Sequence, residues 1–160
     1  MLVEGCGQMG IHLNEAQIEE FIAYLKLLLR WGAKLNLTKI LNEKEIVIKH
    51  FLDALSAFRA IEILPKQRIM DVGSGAGIPG IPIKIVQPAV RLTLLEPTQK
   101  KAAFLRTVCG SLKHREVTVL VQTAESAAHR LRSASVSNRL VSTSDAASSE
   151  PRDAIRTQRP

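Results

Sequence analysis

From Ile18 onward, hydrophobic residues recur at three- and four-residue steps: Ile18, Phe21, Ile22, Leu25, Leu28 and Leu29. Glu19, Glu20, Lys26 and Arg30 fall mainly off that stripe. The spacing predicts an amphipathic helix. Asn14 is placed to cap it, with Gln17 at the third helical position as in a capping box, and Leu13 and Ile18 have the spacing of a hydrophobic staple. The helix is expected to run to about Trp31, where Gly32 weakens it. A second helix is expected after Asn42, which stands before Glu45 in a repeat of the capping-box pattern. Ile46, Val47, Leu52, Leu55 and Phe58 supply its buried side, and Pro65 ends it or closes the loop that follows.

At Arg68 the period changes. Short branched and Leu-rich runs at Arg68–Val72, Val90–Leu95 and Val117–Val121 alternate with helical stretches over about 82–86 and 98–109. Strands alternating with helices predict βαβ units, hence an α/β fold with a parallel sheet. Strands covered on both faces also explain such apolar runs better than an antiparallel sandwich does. The chain then changes character. Residues 126–160 hold eight Ser, six Ala and six Arg, with no Gly, Lys or aromatic residue. Such a composition predicts disorder or a frayed helix. The expected organisation is a helical part over 1–66, an α/β core over 67–125 and a polar tail over 126–160. The sheet reads as incomplete, since a doubly wound fold normally continues past its third strand.

The segment with the most chemical content is Asp71-Val72-Gly73-Ser74-Gly75-Ala76-Gly77-Ile78-Pro79-Gly80, which follows a strand and opens a helix. That context is the one a nucleotide-binding loop requires. Gly73 would permit the sharp turn, Gly75 would remove the Cβ that blocks a cofactor, and Gly77 would allow close helix–strand packing. Glu96 ends the second strand at close to the usual distance for the acid that holds ribose hydroxyls, and a carboxylate can accept from two adjacent hydroxyls. The alternative for Glu96 is a solvated strand-end acid. A dinucleotide loop of the GxGxxG kind would place its third glycine where this chain has Ile78. No Lys-Thr or Lys-Ser follows the loop, which disfavours a nucleoside triphosphatase. The evenly spaced Asp71-x-Gly73-x-Gly75-x-Gly77 resembles the pattern of class I methyltransferases. There, Asp71 would fix the loop or reach the methionine ammonium group through water.

Charge adds a partner class. The net charge is +7: residues 1–125 carry 16 Lys and Arg against 12 acids, and residues 126–160 carry six Arg against three acids. A basic balance of this size favours a polyanionic partner. Lys100, Lys101, Arg106, Lys113 and Arg115 are candidates for steering RNA phosphates, or they form a solvated helix face. Cys6 and Cys109 make no disulfide framework, and no Cys/His spacing suggests a metal. The start has no basic stretch followed by an apolar run, and the Leu25–Leu29 segment is far short of a membrane span. These features lead to the expectation of a cytoplasmic monomer without metal or membrane contact.

Four blocks occur in one order: Lys34-Leu35-Asn36-Leu37-Thr38, His50-Phe51-Leu52-Asp53, the loop from Asp71 to Pro82, and Lys101-Ala102-Ala103-Phe104-Leu105. Together, over about residues 13–125, they closely resemble the glucose-inhibited division protein B family, ribosomal RNA small subunit methyltransferases G that act on guanine N7. The resemblance implies a Rossmann-like class I methyltransferase fold with an N-terminal helical cap, S-adenosylmethionine as cofactor, and 16S ribosomal RNA or the small subunit as partner. It places Gly73 and Ile78 against the cofactor and Ala124-Glu125 near its adenine, and it agrees with Glu96 on the ribose. It also makes Asn36, His50 and Asp53 candidates for shaping the RNA site. Asn36 reads equally as a helix terminator, and His50 with Asp53 as a packing pair one turn apart. Guanine N7 carries its own lone pair, so no catalytic acid–base pair is nominated.

The chain departs from the family at three places. Thr123 stands where the family usually has Arg, and Asp145 stands where an active-site Arg is needed. Arg139 is near the right distance but in the wrong local context. The loss of Lys, Gly and aromatics after about residue 126 suggests a shifted reading frame. The function expected is methyl transfer to guanine N7, and the alternative is an inactive fragment with weak cofactor or RNA binding. An NAD-linked oxidoreductase is disfavoured by the glycine spacing.

Overall fold

The computed structural model describes residues 1–127, and Met1–Ala124 form one compact unit. Its elements are α1 (Leu2–Gln8), α2 (Glu15–Leu35), α3 (Glu43–Ile46), a π-helical segment (Val47–Leu52), α4 (Asp53–Leu55), α5 (Ala57–Ala60), β1 (Arg68–Val72), α6 (Gly80–Val86), β2 (Arg91–Leu95), α7 (Gln99–Ser111) and β3 (Val117–Leu120). The three strands are parallel in the order β1-β2-β3, with Arg68 opposite Arg91 and Leu92 opposite Val117. The α/β class is therefore as expected, with alternating strands and helices consistent with a Rossmann-like fold. The expected tail lies outside the described residues from residue 128 onward, as do Arg139 and Asp145.

α2 forms where the apolar stripe predicts it, and its start is fixed by a complete capping box. The Asn14 side chain accepts from the Gln17 N–H at 2.9 Å, and the Gln17 side chain accepts from the Asn14 N–H at 3.0 Å. Its end differs from expectation. The helix passes through Gly32 to Leu35, and Asn36 closes it in the left-handed conformation at φ 49°. Gly32 is buried, and a Cβ there would lie 3.1 Å from Leu41 Cδ2, so the glycine serves close approach instead of termination.

The second helical stretch is broken up. Asn42 accepts from the Glu45 N–H at 3.2 Å, but the box is not reciprocal, because the Glu45 carboxylate pairs with Lys49 at 2.7 Å. The helix widens at Val47–Leu52 and stops at Ala60, before Pro65. α1 was not expected, because its Gly5 and Gly7 hide a helical pattern. Cys6 is nevertheless fully buried, and Gly5 leaves room for the Leu52 side chain.

One apolar core joins the helices to the sheet. Phe21, Tyr24 and Leu28 of α2 meet Phe51, Leu55, Ile81, Ile85, Leu92, Leu94, Leu105 and Val108. The Phe51 ring lies 5.1 Å from Phe21 and 5.3 Å from Tyr24, centroid to centroid. Gln17 also donates to the Ile85 and Val86 carbonyls at the end of α6, tying that helix to the start of α2. On the opposite strand positions, Arg68, Met70, Arg91, Thr93 and Thr118 line a groove of about 370 Å³, and Met70 and Val72 are exposed. Among the described residues no helix is long and apolar enough to cross a membrane.

Candidate functional site

β1 delivers the chain into the glycine loop at its carboxyl end. Asp71, the last inward-facing residue of the strand, is buried, and its Oδ2 accepts from the Gly80 N–H at 3.1 Å at the start of α6. Burial raises the Asp71 pKa, and the Gly80 hydrogen bond pulls against that rise. A Cβ on Gly80 would come within 2.8 Å of both the Asp71 carboxylate and Leu94, so only glycine fits there. Gly73, Gly75 and Gly77 all have positive φ, at 73°, 51° and 91°, a region that favours glycine.

Their surroundings differ. A Cβ on Gly77 would run into Ile81 and Leu105, which fits the packing role assigned to it. A Cβ on Gly73 would meet nothing, and one on Gly75 only the Gly73 carbonyl at 3.7 Å. Gly73 and Gly75 thus border open space into which a side chain would project. The loop is pinned to the end of β2 by the Gly73 and Ser74 N–H groups, which donate to the Leu95 carbonyl at 2.8 and 3.1 Å.

Glu96 stands directly beyond β2 and is 4 % exposed. Its Oε2 accepts from the Gly75 N–H at 2.9 Å, and its Oε1 accepts from the Thr98 N–H at 2.8 Å. Burial pushes the carboxyl pKa up, but the hydrogen bonds from Thr98 and Gly75 and the nearby Lys101 charge outweigh it, so the value is lowered. Glu96 is therefore a held carboxylate and not a freely solvated strand-end acid. Each oxygen accepts one backbone hydrogen bond, and the Thr98 side chain adds one more, which still leaves the carboxylate acceptor capacity.

Two partners of the loop are not in the sequence-derived set. Tyr24 of α2 donates its hydroxyl to the Ala76 carbonyl at 2.6 Å, fully buried. Burial first, then the Asp71 and Cys109 charges, holds this phenol well above its ordinary pKa, so it stays a donor. The signal was available: Tyr24 falls on the buried face of α2, and a buried tyrosine needs an acceptor. Ser74 is also buried and donates to the Asp71 carbonyl at 2.9 Å.

The structure thus gathers Asp71, Gly73, Gly75, Gly77, half-buried Ile78 and Glu96 around one loop. Ala124 is exposed and ends the first compact unit, with Glu125 just beyond it. The other three candidates are not hydrogen-bonded to the loop. Asn36 is the exposed cap of α2, and Asp53 is exposed at the start of α4. His50 pairs with the Thr38 hydroxyl at 2.7 Å and not with Asp53, because the π-helical turn intervenes. This bond joins two of the sequence blocks, since Thr38 closes the Asn-Leu-Thr block and His50 opens the His-x-x-Asp block. Among the described residues no group of three His, Cys, Asp or Glu could hold a metal ion.

Comparison with known proteins bears on this site. A family model described as rRNA small subunit methyltransferase G matches residues 17–156. A ribosomal RNA small subunit methyltransferase G of Caldanaerobacter subterraneus subsp. tengcongensis is 45 % identical over 125 residues, covering 78 % of this chain and 52 % of the relative. Proteins with the same description from Pelotomaculum thermopropionicum (46 % over 109 residues, 68 % and 46 % covered) and Clostridium botulinum (38 % over 125 residues, 78 % and 52 % covered) are also similar. The chain spans about half the length of the curated relatives it matches.

Proposed function

Because the chain belongs to the rRNA small subunit methyltransferase G family, we propose that it binds S-adenosylmethionine over the Asp71–Gly80 loop and serves methyl transfer to N7 of a guanine in 16S ribosomal RNA. The observation that carries this reading is Glu96, a buried carboxylate held between Gly75 and Thr98 beside two glycines that leave open space. The residues present fit the cofactor. Glu96 keeps acceptor capacity toward the ribose hydroxyls, and Gly73 and Gly75 let a ligand approach the backbone. Ile78 is assigned to the cofactor beside Gly73, and the Ala124-Glu125 pair to its adenine. Of the two roles open to Asp71, fixing the loop is the one its bond to Gly80 supports.

When bound, S-adenosylmethionine supplies a methyl group on a positively charged sulfur. Guanine N7 presents a lone pair without losing a proton, so the chain needs to supply alignment more than a general base. The rigid loop, pinned by Leu95, Tyr24 and Glu96, provides a fixed platform for that alignment. Asn36, His50 and Asp53 are proposed to shape the RNA side, with Lys100, Lys101, Arg106, Lys113 and Arg115 attracting phosphates. Work on the small ribosomal subunit would place the protein in the cytoplasm.

A second reading, binding of cofactor or RNA without transfer, is favoured by the exposure of Met70 and Val72 on β1. Incubating the chain with methyl-labelled S-adenosylmethionine and small-subunit RNA lacking the modification separates the two. Label recovered as 7-methylguanine supports the enzyme. Cofactor binding with no label in RNA supports the second reading, and neither binding nor transfer overturns both.

A further inference from the structure

Trp31 is the single tryptophan of the chain and lies half-buried near the end of α2. The Arg30 guanidinium lies 5.6 Å from its ring centroid and the Lys34 ammonium 5.8 Å. Beside the ring a groove of about 240 Å³ runs between α2 and α7, lined by Trp31, Leu35, Lys100, Ala103, Phe104 and Thr107. Its walls are apolar, its rim is cationic, and no acid lines it. Arg30, Lys34 and Lys100 are exposed, and among the described residues none of them pairs with a carboxylate. Lys100 sits in the first turn of α7, just past the Glu96–Thr98 clasp, so the groove neighbours the proposed cofactor site.

An aromatic face with free cations around it matches an unstacked nucleotide, which offers a flat ring to stack and a phosphate to neutralise. A docking helix of mixed charge would call for acids in the groove as well, and among the described residues none lines it. We propose that this groove takes one unpaired nucleotide of the RNA, its base against Trp31 and its phosphate among Arg30, Lys34 and Lys100. Arg30 and Lys34 are long exposed side chains, so an arriving base displaces them from ring to phosphate. The inference rests on the reading of ribosomal RNA as the substrate.

Because Trp31 is the only tryptophan, its fluorescence reports the groove directly. The 160-residue chain is titrated with a short unstructured single-stranded RNA, and in parallel with inorganic polyphosphate and an acidic amphipathic peptide. Affinities of variants are read from the anisotropy of labelled RNA. RNA is expected to quench the emission, and polyphosphate to bind without comparable quenching. Trp31→Leu should weaken RNA binding roughly 5- to 150-fold, the range of one lost base stack, while Trp31→Phe keeps most of the affinity. Replacing Arg30, Lys34 and Lys100 together by Gln should flatten the slope of log K against log salt by about 0.7, the share of the one phosphate they hold.

RNA bound with unchanged emission, and with affinity indifferent to these variants, overturns the inference and leaves the ribosomal RNA reading standing. No RNA binding by a chain that binds S-adenosylmethionine removes both. Equal quenching by polyphosphate overturns base stacking, and quenching by the peptide alone reassigns the groove to a protein partner. Should Trp31→Leu fail to fold, the salt slope of the charge variant decides.

Discussion

Glu96 and Asp71 are both buried carboxylates within the same site, yet their environments drive them in opposite directions. Glu96 receives two backbone N–H groups and is held charged, whereas Asp71 receives one and is dominated by burial. The consequences for stability have opposite signs. The lowered Glu96 value means that its contribution is present above its ordinary value of 4.5 and is lost as pH falls through the folded value. The raised Asp71 value means that ionisation works against the fold, so stability declines as pH rises from 3.8 through the folded value.

Urea unfolding of the cofactor-free protein across the acid range checks both signs. Glu96→Gln should cost about 1–3 kcal/mol near neutral pH, since an amide can accept from only one of the two N–H groups. That deficit should shrink on acidification. Asp71→Asn keeps an acceptor for Gly80 without a buried charge, so its stability relative to the natural chain should rise with pH across the Asp71 window. A Glu96 deficit independent of pH would mean that the clasp is not a charged one.

At the scale of elements, glycines separate packing from conformation. Gly110 lies in α7 with open space where a Cβ would go, so Gly110→Ala should stabilise the protein by up to about 1 kcal/mol. Gly77→Ala meets both a positive φ and the Ile81 and Leu105 side chains, and should destabilise by at least about 1–3 kcal/mol. Asn14→Ala removes half of the capping box of α2 and should cost about 0.5–2 kcal/mol. Thermal or urea denaturation of the three variants tests these directions together.

The same elements show what the sequence makes legible. β1 follows from a short apolar run that enters a glycine-rich turn, although Met70 and Val72 leave exposed a face expected to be covered, and the start of α2 follows from Asn14 and Gln17. The extension of α2 through Gly32, the π-helical widening at Val47–Leu52 and the short α1 depend on side chains brought from elsewhere, namely Leu41, the core around Phe51, and Leu52. In the site, Asp71, the glycines and Glu96 stand out because turns and strand ends demand those residue types. Tyr24, which caps the loop from α2, is hidden because its partner is a backbone carbonyl 52 residues away.

For the whole unit, a helical layer and a parallel sheet meet at one loop, and the loop is anchored from three sides. α2 reaches it through Tyr24, β2 through Leu95 and Glu96, and α6 through Asp71 and Gly80. Most of the glycine loop is thus ordered by the protein before any ligand arrives, which lowers the conformational cost of binding. Met70 and Val72 are exposed and stand outside that core.

The central claim is a preformed S-adenosylmethionine site on residues 71–96, and equilibrium dialysis of labelled cofactor against the 160-residue chain tests it most directly. Saturable binding, displaced by S-adenosylhomocysteine and not by NAD, and weakened in Glu96→Ala by about 1.5–3 kcal/mol for the lost charged hydrogen bonds, is the predicted result. Absence of binding, equal retention of NAD, or a dissociation constant unchanged in Glu96→Ala would contradict it.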